Sequence, residues 1–305
     1  MTTRIICLGN STLDKVWPLA EFPNTGGKYR STGYFEVGGG TAANAAVAVA
    51  KLGGNVSYWG RGGDDSAGFT MRREMAAYHV DIEYFKLYEG GQSPVSAVLV
   101  ARDGERMIVT YRGSNIPDDT SWLPLDQIKA ACAVQADIRW LSGAQALFTE
   151  ARAHGIPTVL DGEIADDAAY SAIMPLVDHA IFSEPGLRAY AGASSLDHNG
   201  YVEALKKLRA VGCAVAAVTR GDQGILWIDK DGIHEQASFT VEVVDTTGAG
   251  DVFHGAYTLA LGEGKSIPEA MRFSSAVSAL KCTHQGGRAG IPTRLEVDAF
   301  MAEQS

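Results

Sequence analysis

The chain has 305 residues, 46% hydrophobic, 20% charged and 9% aromatic, a composition that suits one large globular fold. Its formal net charge of −10 argues against a nucleic-acid footprint or an anionic membrane surface, both of which need a basic face. A small anionic ligand stays open, because it needs only a local basic pocket.

The first strand is read at Arg4-Ile5-Ile6-Cys7-Leu8-Gly9. Asp14 lies just beyond it, where open α/β sheets place ligand groups, although a turn aspartate would look the same. Residues 15–37 lack helical periodicity, and Tyr29 to Val37 alternates like an exposed strand. Residues 92–112 repeat that character: Val95 to Val100 and Met107 to Tyr111 flank Asp103-Gly104, a hairpin signal. These strands are expected to form a small sheet outside the main fold, a lid over a pocket. Between them, Gly38-Gly39-Gly40 opens a helix of Ala and Val ended by Gly53, with Asn44 the polar exception near its start. A buried amide must find partners, either backbone groups or a ligand hydroxyl. A strand at Ser57 to Gly60 and a helix opened by Gly62-Gly63-Asp64-Asp65 follow.

From about residue 122 strands and helices alternate. Strands are expected at 138–141, 158–161, 179–183, 214–219 and 225–228. Helices are expected at 144–154, 168–176, 185–191, 199–211, 249–262 and 267–282. Such alternation predicts a mostly parallel three-layer α/β sheet with its site at the strand C-terminal ends. No linker divides residues 1–305, so a single domain is expected. The four cysteines (Cys7, Cys132, Cys213, Cys282) form no CxxC pair and read as buried thiols, and the seven histidines form no zinc motif. No signal peptide precedes Asp14 and no apolar run reaches bilayer length, so a cytoplasmic protein is expected.

The chemistry concentrates in Asp245-Thr246-Thr247-Gly248-Ala249-Gly250-Asp251. An apolar run ending at Val243-Val244 reads as a strand, then a glycine turn, then a helix start. Free N–H groups and the helix dipole at such a junction hold an anion. A carboxylate placed there would repel that anion unless it has work to do, and the useful work is that of a general base beside a phosphoryl group. Helix capping by Asp245 or the threonines is the plainer alternative. Thr219-Arg220-Gly221-Asp222-Gln223-Gly224 reads as another turn after a buried strand. Gln285-Gly286-Gly287-Arg288-Ala289-Gly290 reads as a helix C-cap. Lys28, Arg112 and Arg139 are basic groups in an acidic chain, with surface solvation as their plain reading.

Gly39-Gly40-Thr41-Ala42-Ala43-Asn44 with Gly53 and Gly63, and Asp245 to Asp251 with Gly255-Ala256, together resemble the two signatures of the ribokinase-like, or phosphofructokinase-B, sugar kinases. The resemblance runs the length of the chain. It implies Asp251 as catalytic base and the amides of Gly248, Ala249 and Gly250 as the hole for the transferred γ-phosphoryl group. It implies Asp14, Gly39, Gly40 and Asn44 on sugar hydroxyls, and Thr219, Gly221 and Gly224, with Gly250, at ATP. ATP and Mg²⁺ are implied, and potassium in many members, for which Asp245 and Thr247 are the positions to test. The family's Asn-x-x-Glu motif stands here as Ser183-Glu184-Pro185-Gly186, leaving Glu184 as the candidate metal carboxylate. Tyr34 to Gly40, Asp137 to Trp140, Phe182 to Leu187 and Gly286 to Pro292 are most similar to the branch acting on 6-deoxy-6-sulfofructose. That branch implies Lys28 and Arg139 on the C6 sulfonate, with Thr110 where it uses an asparagine. Exposed lid edges lead us to expect a homodimer paired through the lids.

Overall fold

The first strand, β1 (Arg4–Gly9), runs through the middle of the molecule with its last five residues fully buried. Its side chains alternate: Ile5 and Cys7 enter one apolar core, Ile6 and Leu8 another. A strand buried on both faces belongs inside a sheet covered by helices on both sides, and that is its setting. The computed structural model describes residues 3–23, 25–101 and 106–304. The expected Asp103-Gly104 turn lies outside them.

The chain leaves β1 directly into a second, smaller sheet. Its strands are β2 (Thr12–Pro18), β3 (Phe35–Gly39) and, later, β6 (Val95–Val100) and β7 (Arg106–Tyr111), in the order β3-β2-β6-β7. The lid is thus present, with shifted bounds. Its first strand starts at Thr12 and carries Asp14, and Tyr29 to Tyr34 is irregular. Between the lid strands lie α1 (Thr41–Lys51), β4 (Asn55–Gly63), α2 (Ser66–Ala77) and β5 (Phe85–Tyr88). The β4 strand is longer than expected, and β5 carried no sequence signal.

Strands then alternate with helices: β8 (Ala133–Asp137), α3 (Leu141–Ala153), β9 (Thr158–Gly162), α4 (Asp167–Ile173), β10 (His179–Ser183), α5 (Glu184–Ala191), α6 (His198–Val211) and β11 (Val215–Thr219). A hairpin of β12 (Ile225–Asp229) and β13 (Gly232–Gln236) finishes the sheet, and α7 (Ala249–Gly262), α8 (Ile267–Cys282) and α9 (Arg294–Glu303) close the chain. The large sheet has the order β13-β12-β11-β10-β9-β8-β1-β4-β5. All pairings are parallel except β11–β12 and β12–β13. One core packs α1, α2, α7, α8 and α9 on the sheet, and the other packs α3 to α6. The expected three-layer architecture is the one observed. Later strands run outward from β1 in both directions, so a crevice opens between the C-terminal ends of β1 and β8, where such sheets bind ligands.

Two expected strands are corrected. The strand placed at 138–141 lies five residues earlier, at β8. Residues 138–140 instead form a single tight helical turn, because the buried Asp137 carboxylate accepts from Arg139 N at 2.9 Å and bends the chain. Gln135, also fully buried, had hidden the strand's apolar character. Nor is Val243-Val244 a strand end. Both side chains are exposed, and the Val244 and Asp245 N–H groups donate instead to the Cys282 carbonyl that ends α8. Of the four thiols, Cys7 and Cys213 are buried as expected, but Cys132 is exposed and Cys282 only half-buried.

The helices α1 and α7 touch where Gly255 meets Ala45. A Cβ on Gly255 would stand 2.4 Å from the Ala45 carbonyl oxygen and 2.9 Å from its Cα. Because backbone cannot swing aside, Gly255→Ala must push two central helices apart. We expect a loss of about 1–3 kcal/mol, read as a lower midpoint in thermal unfolding. An unchanged midpoint would contradict this packing.

Candidate active site

The residues of both glycine motifs meet at the crevice. Gly248 ends the approach to α7 with φ of +73°, a left-handed conformation that glycine adopts without strain. Asp251 follows in the first turn. Ala249 N turns back to Thr246 O at 3.2 Å and Val252 N to Gly248 O at 2.9 Å. Among the described residues, the N–H groups of Gly248, Gly250 and Asp251 have no protein acceptor. Of the amides expected in the anion hole, Gly248 N and Gly250 N are free here and Ala249 N makes the turn bond, with Asp251 N free beside them. They face the space that the positive end of the helix dipole polarises.

Asp251 is tied across 207 residues to the other motif, with Asn44 Nδ2 donating to its Oδ2 at 2.7 Å. Burial and the nearby Asp161 carboxylate push the Asp251 carboxyl up to about 7, against the opposing hydrogen bond from Asn44. Behind Asp251, His254 Nδ1 lies 2.7 Å from Gly250 O and 3.1 Å from Asp161 Oδ2, while Nε2 lies 3.1 Å from Ile181 O. Burial lowers the affinity of His254 for its proton and raises that of Asp161.

Arg288 is the residue that sequence reasoning missed. It came within the expected C-cap loop, yet its side chain is fully buried. Nε donates to Asn44 Oδ1 at 2.9 Å, Nη2 donates to Gly39 O at 2.9 Å, and Nη1 lies 3.3 Å from Glu74. Both ends of the Asn44 amide are thus held by protein, in a chain running Arg288–Asn44–Asp251. A Cβ on Gly38 would meet Arg288 at 2.0 Å, and one on Gly39 would meet Asp14 Oδ2 at 2.5 Å. The glycine run is small because charged side chains lie against it. The only sequence signal available is an Arg within a glycine-rich loop, Gly286-Gly287-Arg288-Ala289-Gly290.

In the lid, Asp14, Ser96 and Thr110 are directly opposite one another on β2, β6 and β7, with Ser96 Oγ 3.4 Å from Thr110 Oγ1. This places Thr110 on the Asp14 side of the sheet. A cavity of about 200 Å³ is lined by Gly9, Asn10, Arg61, Arg112, Arg139 and Trp140 among others, and not by Asp14, Ser96 or Thr110. Arg139 leans on Glu163 at 3.4 Å, and Arg61 stacks on the Trp140 ring at 4.2 Å. Arg112 has no hydrogen bond or ion pair among the described residues. Lys28 is exposed and does not line this cavity, so the expected Lys28–Arg139 pair is not brought together here. Asp137 joins the corner from below: its Oδ2 accepts from Asn10 N at 2.7 Å and Ala42 N at 3.2 Å.

Thr219 ends β11, and Gly221 and Gly224 shape the turn that follows, with φ of +56° and +80°. Ser183 caps α5, and a Cβ on Gly186 would stand 2.1 Å from Gly162 O. This crowding leaves no room for a glutamate there. Glu184 accepts from Tyr201 Oη through Oε1, leaving Oε2 unengaged. No cluster of three His, Cys, Asp or Glu residues occurs among the described residues. Magnesium needs no such cluster, because it is commonly held by one or two carboxylates together with substrate phosphates.

This arrangement, a parallel sheet with an anion-binding helix start, a facing carboxylate and a lid, defines a phosphoryl-transfer class of α/β enzyme. A crystal structure from Agrobacterium tumefaciens, provisionally assigned as a ribokinase, superposes with a TM-score of 0.93 at 34% identity, covering 100% of this chain and 99% of that one. The Arabidopsis thaliana ribokinase complexed with ribose and ATP shares the fold, with a TM-score of 0.88 at 23% identity over 99% of each chain. Ribokinase of Bacillus subtilis is 30% identical over 98% of this chain and 100% of its own. The family model of pfkB family carbohydrate kinases matches residues 3–294, and the chain belongs to that family. It is an ATP-dependent kinase of the ribokinase type, acting on a sugar or nucleoside. No helix among the described residues is long and apolar enough to cross a membrane.

Proposed function

We propose that this enzyme transfers the γ-phosphoryl group of ATP to the C1 hydroxyl of an anionic ketose, 6-deoxy-6-sulfofructose. The observation that carries the anionic substrate is the cavity with three arginines beside Asn10, in a chain whose net charge is −10. Arg61 and Arg139 each face one carboxylate, Asp118 at 3.1 Å and Glu163 at 3.4 Å, whereas Arg112 has no hydrogen bond or ion pair among the described residues and leaves its charge for a ligand. In this reading Arg139 binds the sulfonate together with Arg112 and Arg61, Thr110 donates one hydrogen bond, and Lys28 approaches only from the lid's outer segment. Asp14, Gly39 and Gly40 meet the sugar hydroxyls, with Asn44 beside them.

Asp251 takes the C1 proton through Oδ1, since Oδ2 is held by Asn44. With its carboxyl near 7 it is a stronger base than an ordinary aspartate and becomes ionised as pH rises through about 7. The N–H groups of Gly248, Gly250 and Asp251 hold the phosphoryl oxygens, and Thr219, Gly221 and Gly224 line the nucleotide. Magnesium on the ATP phosphates, near Glu184, would neutralise the charge of the transferred group. Lid closure excludes water. The lid strand β7 is exposed along its whole length, with Ile108 56% and Val109 67% exposed, which supports a homodimer joined through the lids of two copies in the cytoplasm.

The ribokinase relatives favour ribose as a second reading, and fructose 6-phosphate or tagatose 6-phosphate would use the same cationic cavity. An ATP-coupled assay comparing 6-deoxy-6-sulfofructose, fructose 6-phosphate, fructose and ribose separates them. We expect the sulfosugar to lead in kcat/KM by about tenfold or more, about 1.4 kcal/mol of transition-state discrimination. A lead for fructose 6-phosphate keeps the anion and removes the sulfonate, whereas a lead for ribose sinks both.

A further inference from the structure

Many kinases of this kind use potassium, and Asp245 with Thr247 is where the resemblance would place it. The donors there are already taken. Asp245 Oδ1 accepts from Thr247 N at 2.8 Å and Thr247 Oγ1 at 2.6 Å, and also from Arg106 Nη2, which reaches over from the lid. Oδ2 accepts from Gly286 N at 2.9 Å. Four donors thus act on this carboxylate, three of them on Oδ1, which has no lone pair left. The Asp245 carbonyl accepts from Lys281 Nζ at 2.7 Å, and the same ammonium lies 3.9 Å from Oδ2. Lys281 is fully buried in the last turn of α8, where the helix dipole favours positive charge. One turn earlier on that face, Ser278 Oγ donates to Ala249 O at 2.9 Å. The two side chains therefore clamp the 245–251 turn at both ends.

We propose that the Lys281 ammonium is a built-in cation of this turn. It occupies the role of a monovalent metal ion at Asp245, holds the free N–H groups of Gly248, Gly250 and Asp251 in place, and makes the enzyme independent of potassium. A metal ion added beside Lys281 and Arg106 would meet two positive charges and a carboxylate that already accepts four hydrogen bonds.

The test compares KCl with tetramethylammonium chloride at equal ionic strength, by two readouts. One is kcat/KM with whichever sugar the substrate assay selects. The other is the thermal unfolding midpoint without sugar, which does not depend on the substrate reading. For the wild type we expect kcat/KM to agree within about twofold and the midpoints to agree within about 1 °C. Activation by potassium of about tenfold or more, or a midpoint raised by about 3 °C or more in KCl alone, overturns the proposal. Lys281→Met is expected to lose about tenfold or more in kcat and to regain part of it with KCl or ammonium chloride but not with tetramethylammonium. Full activity of Lys281→Met without any added cation would also overturn it. If that variant fails to fold, the two wild-type comparisons decide.

Discussion

Asp251→Asn is expected to lower kcat by about 10³-fold while nucleotide affinity stays within a few-fold, since general-base catalysis supplies on the order of 10²–10⁴. The amide keeps the shape of the side chain, and the free N–H groups of the turn are backbone and do not change. Only the capacity to take a proton is lost. The same carboxyl sets the pH profile of the wild type. Its proton affinity is raised to about 7, so the base is protonated and idle below that pH. The kcat/KM value should therefore fall roughly tenfold per pH unit below about 7 and level off above it. Stability moves in the opposite sense. Between the usual carboxylate range and about 7 the folded state holds a proton that the unfolded chain has released. Folding is accordingly weakened through this group as pH rises across that window. Asp251→Asn removes that penalty, so the variant should unfold at the same temperature as the wild type or higher. A dead, fully folded enzyme that still binds ATP is the expected outcome, and retained turnover would refute the assignment.

Arg288→Met should be the most destabilising single change in the site. Removing one partner of a buried ion pair typically costs about 3–5 kcal/mol because the other is left unpaired. Here Glu74 loses its cation, and Gly39 O and Asn44 Oδ1 lose their donors in an apolar surrounding. At a few degrees per kcal/mol, the thermal midpoint should drop by about 10 °C. Catalysis should weaken further, because Asn44 no longer has both ends held and Asp251 loses its fixed orientation. Arg288→Lys keeps the charge but not the fork, so it should recover part of the stability and little of the activity. Midpoints unchanged in both variants would mean that the buried network contributes nothing.

Parts of this design were legible in the chain itself. The parallel sheet followed from buried apolar runs alternating with helical stretches, and the boundaries of β1, β10, α7 and α8 coincide with those read from the sequence. These elements obey local rules: strand burial on both faces, a glycine turn before a helix, a Ser-Pro start with a capping box. The Asp245–Asp251 turn was legible for the same reason, because its chemistry lies in seven consecutive residues. Elements whose burial is polar were missed. The β8 strand contains Gln135 and ends in Asp137, both fully buried, and hydrophobic patterning cannot register them.

Composition, strand–helix alternation and the two glycine signatures were enough to determine the fold, the family and the candidate base, because each is written in short-range backbone preference. The folded chain alone decided what surrounds that base. Arg288 reaches Asn44 across 244 residues, Arg106 reaches Asp245 across 139, and Asp14, Ser96 and Thr110 line up only through strand register. In the sequence Lys281 is one cation near the end of an amphipathic helix, and only packing against the 245–251 turn makes it a buried counter-charge. Long-range electrostatics and hydrogen bonding depend on which surfaces are removed from water together, and the order of residues along a chain does not state that.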